Sequence, residues 1–367
     1  MTSTISRSLL SKPGISSLRS FLQSNRPSLM QAPILVVSSE PAHNQPVISE
    51  IQQACQLVNF TLAQQMGLRT VASTVDSAFP TTVDLQDRLE LARRTGAGSI
   101  VAVGSGTAVD LAKAMASEAE WEQVILIPTS YASIVAAGSS HSLFIDPVEE
   151  ALVPIPNLEM KNHQDSSASY SGTMTVAPLE DKLSAPVDKY HIVYASIGIT
   201  VDSIFRNTGG DNQDAEELLK SAFAALQEPS EVSHEVATNL LYQSGSLLSF
   251  GLGDENRSIS MSLASSLIPR IFPHVHVLTF WSSLVPGLCQ VLLDSQQVDD
   301  PSITDICEIM LQSRESIPQL TVTSKEFEGF SVPDMSLSHI HTNQTIWKCL
   351  DVPDSVLTAV LSTSLER

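Results

Sequence analysis

Three groups of residues have the types and spacing to do chemistry. The first is Gly104-Ser105-Gly106-Thr107, which follows a short apolar run at 100–103 and precedes a stretch with Val109, Ala112, Lys113 and Ala116 at helical spacing. Strand, glycine turn and helix in that order aim backbone N–H groups and the positive end of a helix at a phosphate. Glycine lets the main chain approach a ligand closely because no Cβ intervenes, and glycine turns also serve tight strand–helix packing. The second group is Asp202 and Arg206, four residues apart and so on one face of a helix. A guanidinium beside a carboxylate either presents fixed N–H donors to a substrate carbonyl or carboxylate, or simply closes an ion pair. The third is His276, a ring suited to proton transfer and equally to a structural contact between helices.

Other combinations say less. His274-x-His276 and His339-x-His341 suit a metal by residue type alone. Ser139-Ser140-His141 has no acid at a useful position, so a hydrolase triad is not supported. Tyr131 follows Thr129 and Ser130 in a loop, as a cofactor-facing ring or an aromatic anchor. Cys289 lies in an apolar helix and reads as core.

These residues need elements to hold them. Residues 32–38 read as a buried strand, 47–66 as a helix with Ile51, Ala54, Val58 and Leu62 on one face, and 68–75 as a second strand. Residues 82–95 form a helix with Val83, Leu85, Leu89 and Leu91 inward, capped by Thr82 or Asp84. The strand–turn–helix unit at 99–116 comes next, then a strand at 122–127 closed by Pro128. Such alternation builds a parallel sheet covered on both faces, whose ligands sit at the carboxyl ends of the strands. Gly104 and Thr129 both fall on that edge. Residues 146–188, rich in Pro, Ser, Asp and Glu, read as a long connection with a hairpin near 171–176. Beyond His191 the pattern turns helical, at 200–208, 215–226, 232–250, 258–268, 278–293, 303–315 and 355–365.

Composition narrows the classes. A chain of 367 residues has room for two domains, and a net charge of −20 argues against nucleic acid and anionic membrane surfaces as partners. No apolar run reaches membrane-spanning length. Cys55, Cys289, Cys307 and Cys349 are far apart, which fits free thiols in a cytoplasmic protein better than a disulfide scaffold. Residues 1–39 hold Arg7, Lys12, Arg19 and Arg26, many serines and no acid, a composition shared with mitochondrial presequences. An ordinary first helix at 15–22 is the alternative.

The run from Gly104 to Lys113 is similar to the GGGSxxDxAK motif of the iron-dependent (group III) alcohol dehydrogenases. Ile127-Pro128-Thr129-Ser130-Tyr131-Ala132-Ser133 keeps the start of their second motif and lacks its later glycine and Ser-Glu. The chain resembles that family, and within it the maleylacetate reductases. The resemblance implies an α/β fold. An N-terminal Rossmann-like parallel-sheet domain at 1–193, with an insertion at 150–185, precedes an all-helical domain at 194–367, in the dehydroquinate synthase-like architecture. It implies NAD or NADP, held by Ser38, Gly104, Ser105, Gly106, Thr107, Asp110, Lys113, Thr129 and Ser130. The strand end Leu35-Val36-Val37-Ser38-Ser39 lacks the aspartate that many members direct at the ribose, so either nucleotide is allowed. The short tail before the family's first helix favours a mature N-terminus and a cytoplasmic location over a presequence.

The family binds iron or zinc through an aspartate and three histidines. Here the aligned positions hold Asp202, Arg206, Ser262 and His276, and a further active-site histidine aligns with Ser266. Arginine stays protonated and cannot ligate, so the resemblance implies a degenerate site without metal. The expected activity is hydride transfer to or from a small carbonyl or alcohol, with Arg206, His276 and Asp202 as the catalytic residues and Arg206 in the metal's electrostatic place. The alternative is a repurposed lyase, isomerase or cyclase. The expected partners are a small-molecule substrate and a second copy of the chain.

Overall fold

The computed structural model describes residues 4–9, 33–39, 46–49, 70–75, 80–119, 121, 123–139, 141–146, 151–156, 171–178, 183, 189–207, 212–228, 232–250, 258–267, 275–296, 298, 300–317, 320 and 354–365. The chain divides into two compact units, Met1–Ser184 and Ala185–Arg367. The division falls before the expected 193/194 boundary, because 193 lies inside a continuous helix, Lys189–Arg206.

The first unit is built on a six-stranded sheet. Its strands are β1 (Thr4–Leu9), β2 (Ile34–Ser39), β3 (Thr70–Val75), β4 (Ser99–Gly104), β5 (Gln123–Pro128) and β8 (Ser171–Val176), in the spatial order β1-β8-β5-β4-β2-β3. Every pairing in it is parallel. Ile34–Val37 and Ile100–Val103 are buried throughout, as strands covered on both faces must be. Helix α1 (Thr82–Thr95) follows β3, α2 (Gly106–Ala119) follows β4, and α3 (Tyr131–Gly138) follows β5. β6 (His141–Asp146) and β7 (Ala151–Pro156) form a separate antiparallel pair.

Three expectations are corrected. The segment 171–176 is not a hairpin but an interior strand between β1 and β5; Met174, Thr175 and Val176 are buried there, so this part of 150–185 is core and not insertion. The N-terminal tail, expected to lead only into a helix, contributes an edge strand, Thr4–Leu9, paired in parallel with β8. Helix α1 is capped by Thr81, whose hydroxyl accepts the Asp84 N–H at 3.0 Å while the Asp84 carboxylate accepts the Thr81 N–H at 2.9 Å. This reciprocal box puts Asp84 in the third helical position rather than at the cap. Residues 46–49 are helical; the rest of the 47–66 helix and all of the 15–22 helix lie outside the described residues.

Described strands and helices of the second unit are all helical: α4 (Lys189–Arg206), α5 (Gln213–Gln227), α6 (His234–Phe250), α7 (Ile259–Leu267), α8 (Val277–Ser283), α9 (Val285–Ser295), α10 (Pro301–Gln312) and α11 (Asp354–Leu365), with a 3₁₀ turn at Arg314–Ser316. Helix α4 touches α5, α6, α7, α8 and α9, and it is buried almost throughout from Ile192 to Arg206. The single helix expected at 278–293 is two, bent by 41° at Leu284 just ahead of Pro286. Among the described residues no single helix is long and apolar enough to cross a membrane, although this bent pair is by length and composition. Cys289 and Cys307, on α9 and α10, are free and buried, and they share a hydrogen bond. Cys55 and Cys349 lie outside the described residues.

Candidate functional site

The sheet order contains a reversal. From β2 the chain moves outward to β3, and from β4 it moves the other way to β5, while β2 and β4 are neighbours. Connections that leave adjacent parallel strands in opposite directions open a crevice at the strands' carboxyl ends, where ligands of open α/β sheets bind. The Gly104–Thr107 turn stands at that point. α2 starts directly at Gly106, and its first-turn N–H groups have no partner within the helix. Next to it the Thr129 N–H donates to the Gly104 carbonyl at 3.0 Å, which holds the end of β5 and the start of α3 beside the turn.

The two glycines of the turn do different work. Gly104 has φ +144°, and a Cβ on it would lie 3.1 Å from the Ser39 nitrogen and 3.2 Å from the Ser39 Cβ, so the fold itself requires glycine. Gly106 has no such need. The nearest atom to a Cβ there would be the Ala136 Cβ at 4.0 Å, an ordinary contact. A position at the mouth of the crevice that is glycine without internal cause leaves room for a ligand to approach the main chain.

Most of the other expected nucleotide-binding residues are placed close by, but not all face a ligand. Ser38 is buried, its hydroxyl donating to the Ser39 carbonyl at 3.0 Å. Thr107 and Thr129 are buried at the turn ends. Ser130 is the N-cap of α3 and is locked in a reciprocal box with Ser133: its hydroxyl accepts the Ser133 N–H at 3.3 Å, and the Ser133 hydroxyl accepts the Ser130 N–H at 3.2 Å. Tyr131 is the first residue of that helix and is buried, not looped toward a pocket.

Asp110 and Lys113 belong to the interior. Lys113 is 1 % exposed, and its ammonium donates to the carbonyls of Ala136 at 2.6 Å, Ser139 at 3.0 Å and His141 at 2.6 Å. Asp110 lies 3.4 Å from the same ammonium. Burial pushes the Asp110 carboxyl up to about 6, against the pull of Lys113 and of a backbone hydrogen bond from Leu143. The motif's Asp and Lys therefore fasten α2 to the end of α3 and to β6.

In the helical unit the expected metal aspartate has another occupation. Asp202 is wholly buried, and its Oδ1 accepts from Arg206 Nε at 2.9 Å and the Ile259 N–H at 3.2 Å. Its Oδ2 accepts from the Ser258 hydroxyl at 2.6 Å, the Ser260 N–H at 3.0 Å and the Ser260 hydroxyl at 2.6 Å. The carboxylate is a cap supplied from α4 to the N-terminus of α7, where the helix dipole also favours negative charge. Both oxygens are saturated by donors, and a guanidinium fills the fourth residue along. That donor set does not fit the iron or zinc of the resembled family, which would need open lone pairs on Asp202 and a neutral ligand in place of the guanidinium. Among the described residues no three His, Cys, Asp or Glu side chains cluster to hold one. The side chains of Ser262 and Ser266, together with His274, His339 and His341, lie outside the described residues.

His276 is the N-cap of α8. Its Nδ1 accepts the Leu278 N–H at 3.3 Å, which assigns the ring proton to Nε2 in the neutral form. Burial, and then the nearby His191, hold its pKa below the usual histidine value. At neutral pH it is thus an uncharged ring that carries its one N–H at Nε2. The sequence reading passed over His191, about three turns before Asp202 on α4. It also passed over Ser258 and Ser260, although Ser-x-Ser ahead of an apolar run is a capping pattern.

No protein-family model matches the chain, and no curated protein matches it in sequence. Solved structures do match in shape. An iron-containing alcohol dehydrogenase from Thermotoga maritima has a TM-score of 0.66 at 12% identity, over 100% of this chain and 99% of that one. The fold is that of the iron-containing alcohol dehydrogenases. A maleylacetate reductase from Agrobacterium tumefaciens has a TM-score of 0.62 at 15% identity, covering 100% of this chain and 96% of its own. A sulfoacetaldehyde reductase from Bifidobacterium kashiwanohense, solved in complex with NAD+, has a TM-score of 0.60 at 13% identity, over 99% and 97% of the two chains.

Proposed function

We propose that the protein is an NAD(P)-dependent oxidoreductase that interconverts a small carbonyl compound and its alcohol, and that it does so without a metal ion. The observation that carries the reading is the Gly104–Thr107 turn at the reversal of strand order, with Gly106 left open where a nucleotide pyrophosphate would meet the start of α2. The fold it shares with dehydrogenases and reductases, one of them holding NAD+, supports the same reading. The nucleotide supplies the hydride chemistry; this chain's residues orient it and stabilise charge on the substrate. In the helical unit Arg206 supplies a fixed positive charge for a carbonyl or carboxylate oxygen. His276, neutral and with its proton on Nε2, is a hydrogen-bond donor to a developing alkoxide rather than an imidazolium acid. Asp202 sets the Arg206 geometry and does not touch the reacting atoms.

The test is a fluorescence titration of the purified protein with NADH and NADPH, alongside elemental analysis. Saturable binding of either nucleotide with no stoichiometric iron or zinc is the expected result. Gly106→Ala is expected to fold as well as the natural protein, since its methyl group has room, and to bind nucleotide about 10-fold more weakly or worse because that methyl occupies the approach path. Failure of both nucleotides to bind would overturn the redox reading. It would favour the second one, a lyase, isomerase or cyclase on the same scaffold, for which the replaced metal site is the motivating observation.

A further inference from the structure

We propose that Ser39 is a positioning residue for the nucleotide turn, an assignment that rests on the NAD(P) reading above. Ser39 is the last residue of β2 and is buried. The ladder between β2 and β4 ends one step earlier, at Ser38 opposite Val103. Where the two main chains part, the Ser39 side chain continues the connection. Its Oγ accepts the Ser105 N–H at 2.8 Å and lies 3.0 Å from the Ser105 Oγ. A single hydroxyl thereby bridges the two lips of the crevice at the topological switch point.

This bridge has two effects on the turn. It directs the Ser105 N–H along the sheet toward β2. The first turn of α2 follows directly, and the bridge sets the direction in which that helix N-terminus faces the crevice. It also dictates Gly104, because the Ser39 side chain occupies the space a Cβ would take at that position. Ser39 and Gly104 are therefore one device: the glycine admits the hydroxyl, and the hydroxyl fixes the path from β4 into α2. With alanine at 39 the Ser105 N–H loses its acceptor, and the turn is free to rotate away from the geometry that presents the α2 N-terminus. Pre-set donors are what makes a phosphate site tight, since a loose turn must be ordered on binding.

The experiment compares the natural protein with Ser39→Ala by fluorescence titration with NADH and with NADPH, at a temperature well below the melting point of both. The expected result is a Kd raised about 10-fold for each nucleotide, equivalent to about 1.4 kcal/mol. Both melt within a few degrees of each other without nucleotide, and saturating nucleotide gives the variant a smaller upward shift in Tm. Should Ser39→Ala fail to fold, Ser39→Cys carries the test: the thiol keeps a small side chain there, but its sulfur is larger and a poor acceptor, so it is expected to weaken binding likewise. A Kd within twofold of the natural protein's in the folded variant overturns the assignment of Ser39 and leaves the NAD(P) reading standing. No binding by the natural protein itself overturns both.

Discussion

Asp202→Asn is expected to lower the stability of the helical unit by about 3–5 kcal/mol, because it strips the largely buried Arg206 of its counter-charge. That corresponds to roughly 10 °C in Tm for a unit of this size. The amide oxygen keeps one acceptor, but the NH₂ group then faces donors where an oxygen faced them before, from among the Ser258 hydroxyl and the Ser260 and Ile259 N–H groups. The start of α7 loses its cap and the negative charge that its dipole favours. Differential scanning calorimetry with and without a chelator separates this from a metal-site explanation. If Asp202 is a helix clamp, the chelator leaves the natural protein's Tm unchanged, and zinc or iron does not restore the variant. If Asp202 were a ligand, chelation would reproduce the loss. A second substitution sharpens the point: Asp202→Asn with Arg206→Met should be less damaging than Asp202→Asn alone, because the stranded charge goes with the arginine.

The same residues show what a sequence can and cannot convey. Strand, turn and helix at 99–116 were legible because a buried parallel strand is a continuous apolar run and its glycine turn interrupts it sharply. The helical half was legible for a similar reason, since an apolar stripe at 3.6-residue spacing survives in any context. β1 and β8 were not. Thr4–Leu9 and Ser171–Val176 are rich in Ser and Thr, and what makes them strands is pairing with one another and with β5, partners far away in sequence. Arg206 could be seen to exclude a ligand role at its own position. What Asp202 does instead could not be seen, because its partners Ser258 and Ser260 come from another helix. Lys113 was expected among the nucleotide-binding residues from its motif alone, and only the fold reveals the three carbonyls around its ammonium.

Lys113→Met is the companion prediction in the sheet unit, and it carries a pH signature. Methionine matches the length and apolar stem of lysine but offers no donors. The carbonyls of Ala136, Ser139 and His141 lose their hydrogen bonds, two of them at the negative end of α3. Asp110 is left buried without its cation, and breaking such a pair costs about 3–5 kcal/mol. Lys113 is what restrains the Asp110 carboxyl at about 6, so its removal drives that carboxyl higher still. A carboxyl whose folded pKa lies above its unfolded value of 3.8 takes up protons on folding between the two. Its stabilising contribution is complete below the lower pKa and disappears as pH rises through the upper one. The natural protein should therefore lose some stability as pH rises from about 4 through about 6, and little from this group beyond. The variant's decline should be steeper and extend above pH 6, so that its deficit against the natural protein is largest near pH 8 and shrinks toward pH 5. Urea unfolding of both proteins at a series of pH values measures this directly. A deficit independent of pH would mean that the lost carbonyl contacts matter and the ion pair does not. A Tm equal to that of the natural protein would mean that Lys113 is not the fastening between α2, α3 and β6, and that its charge is available to a nucleotide after all.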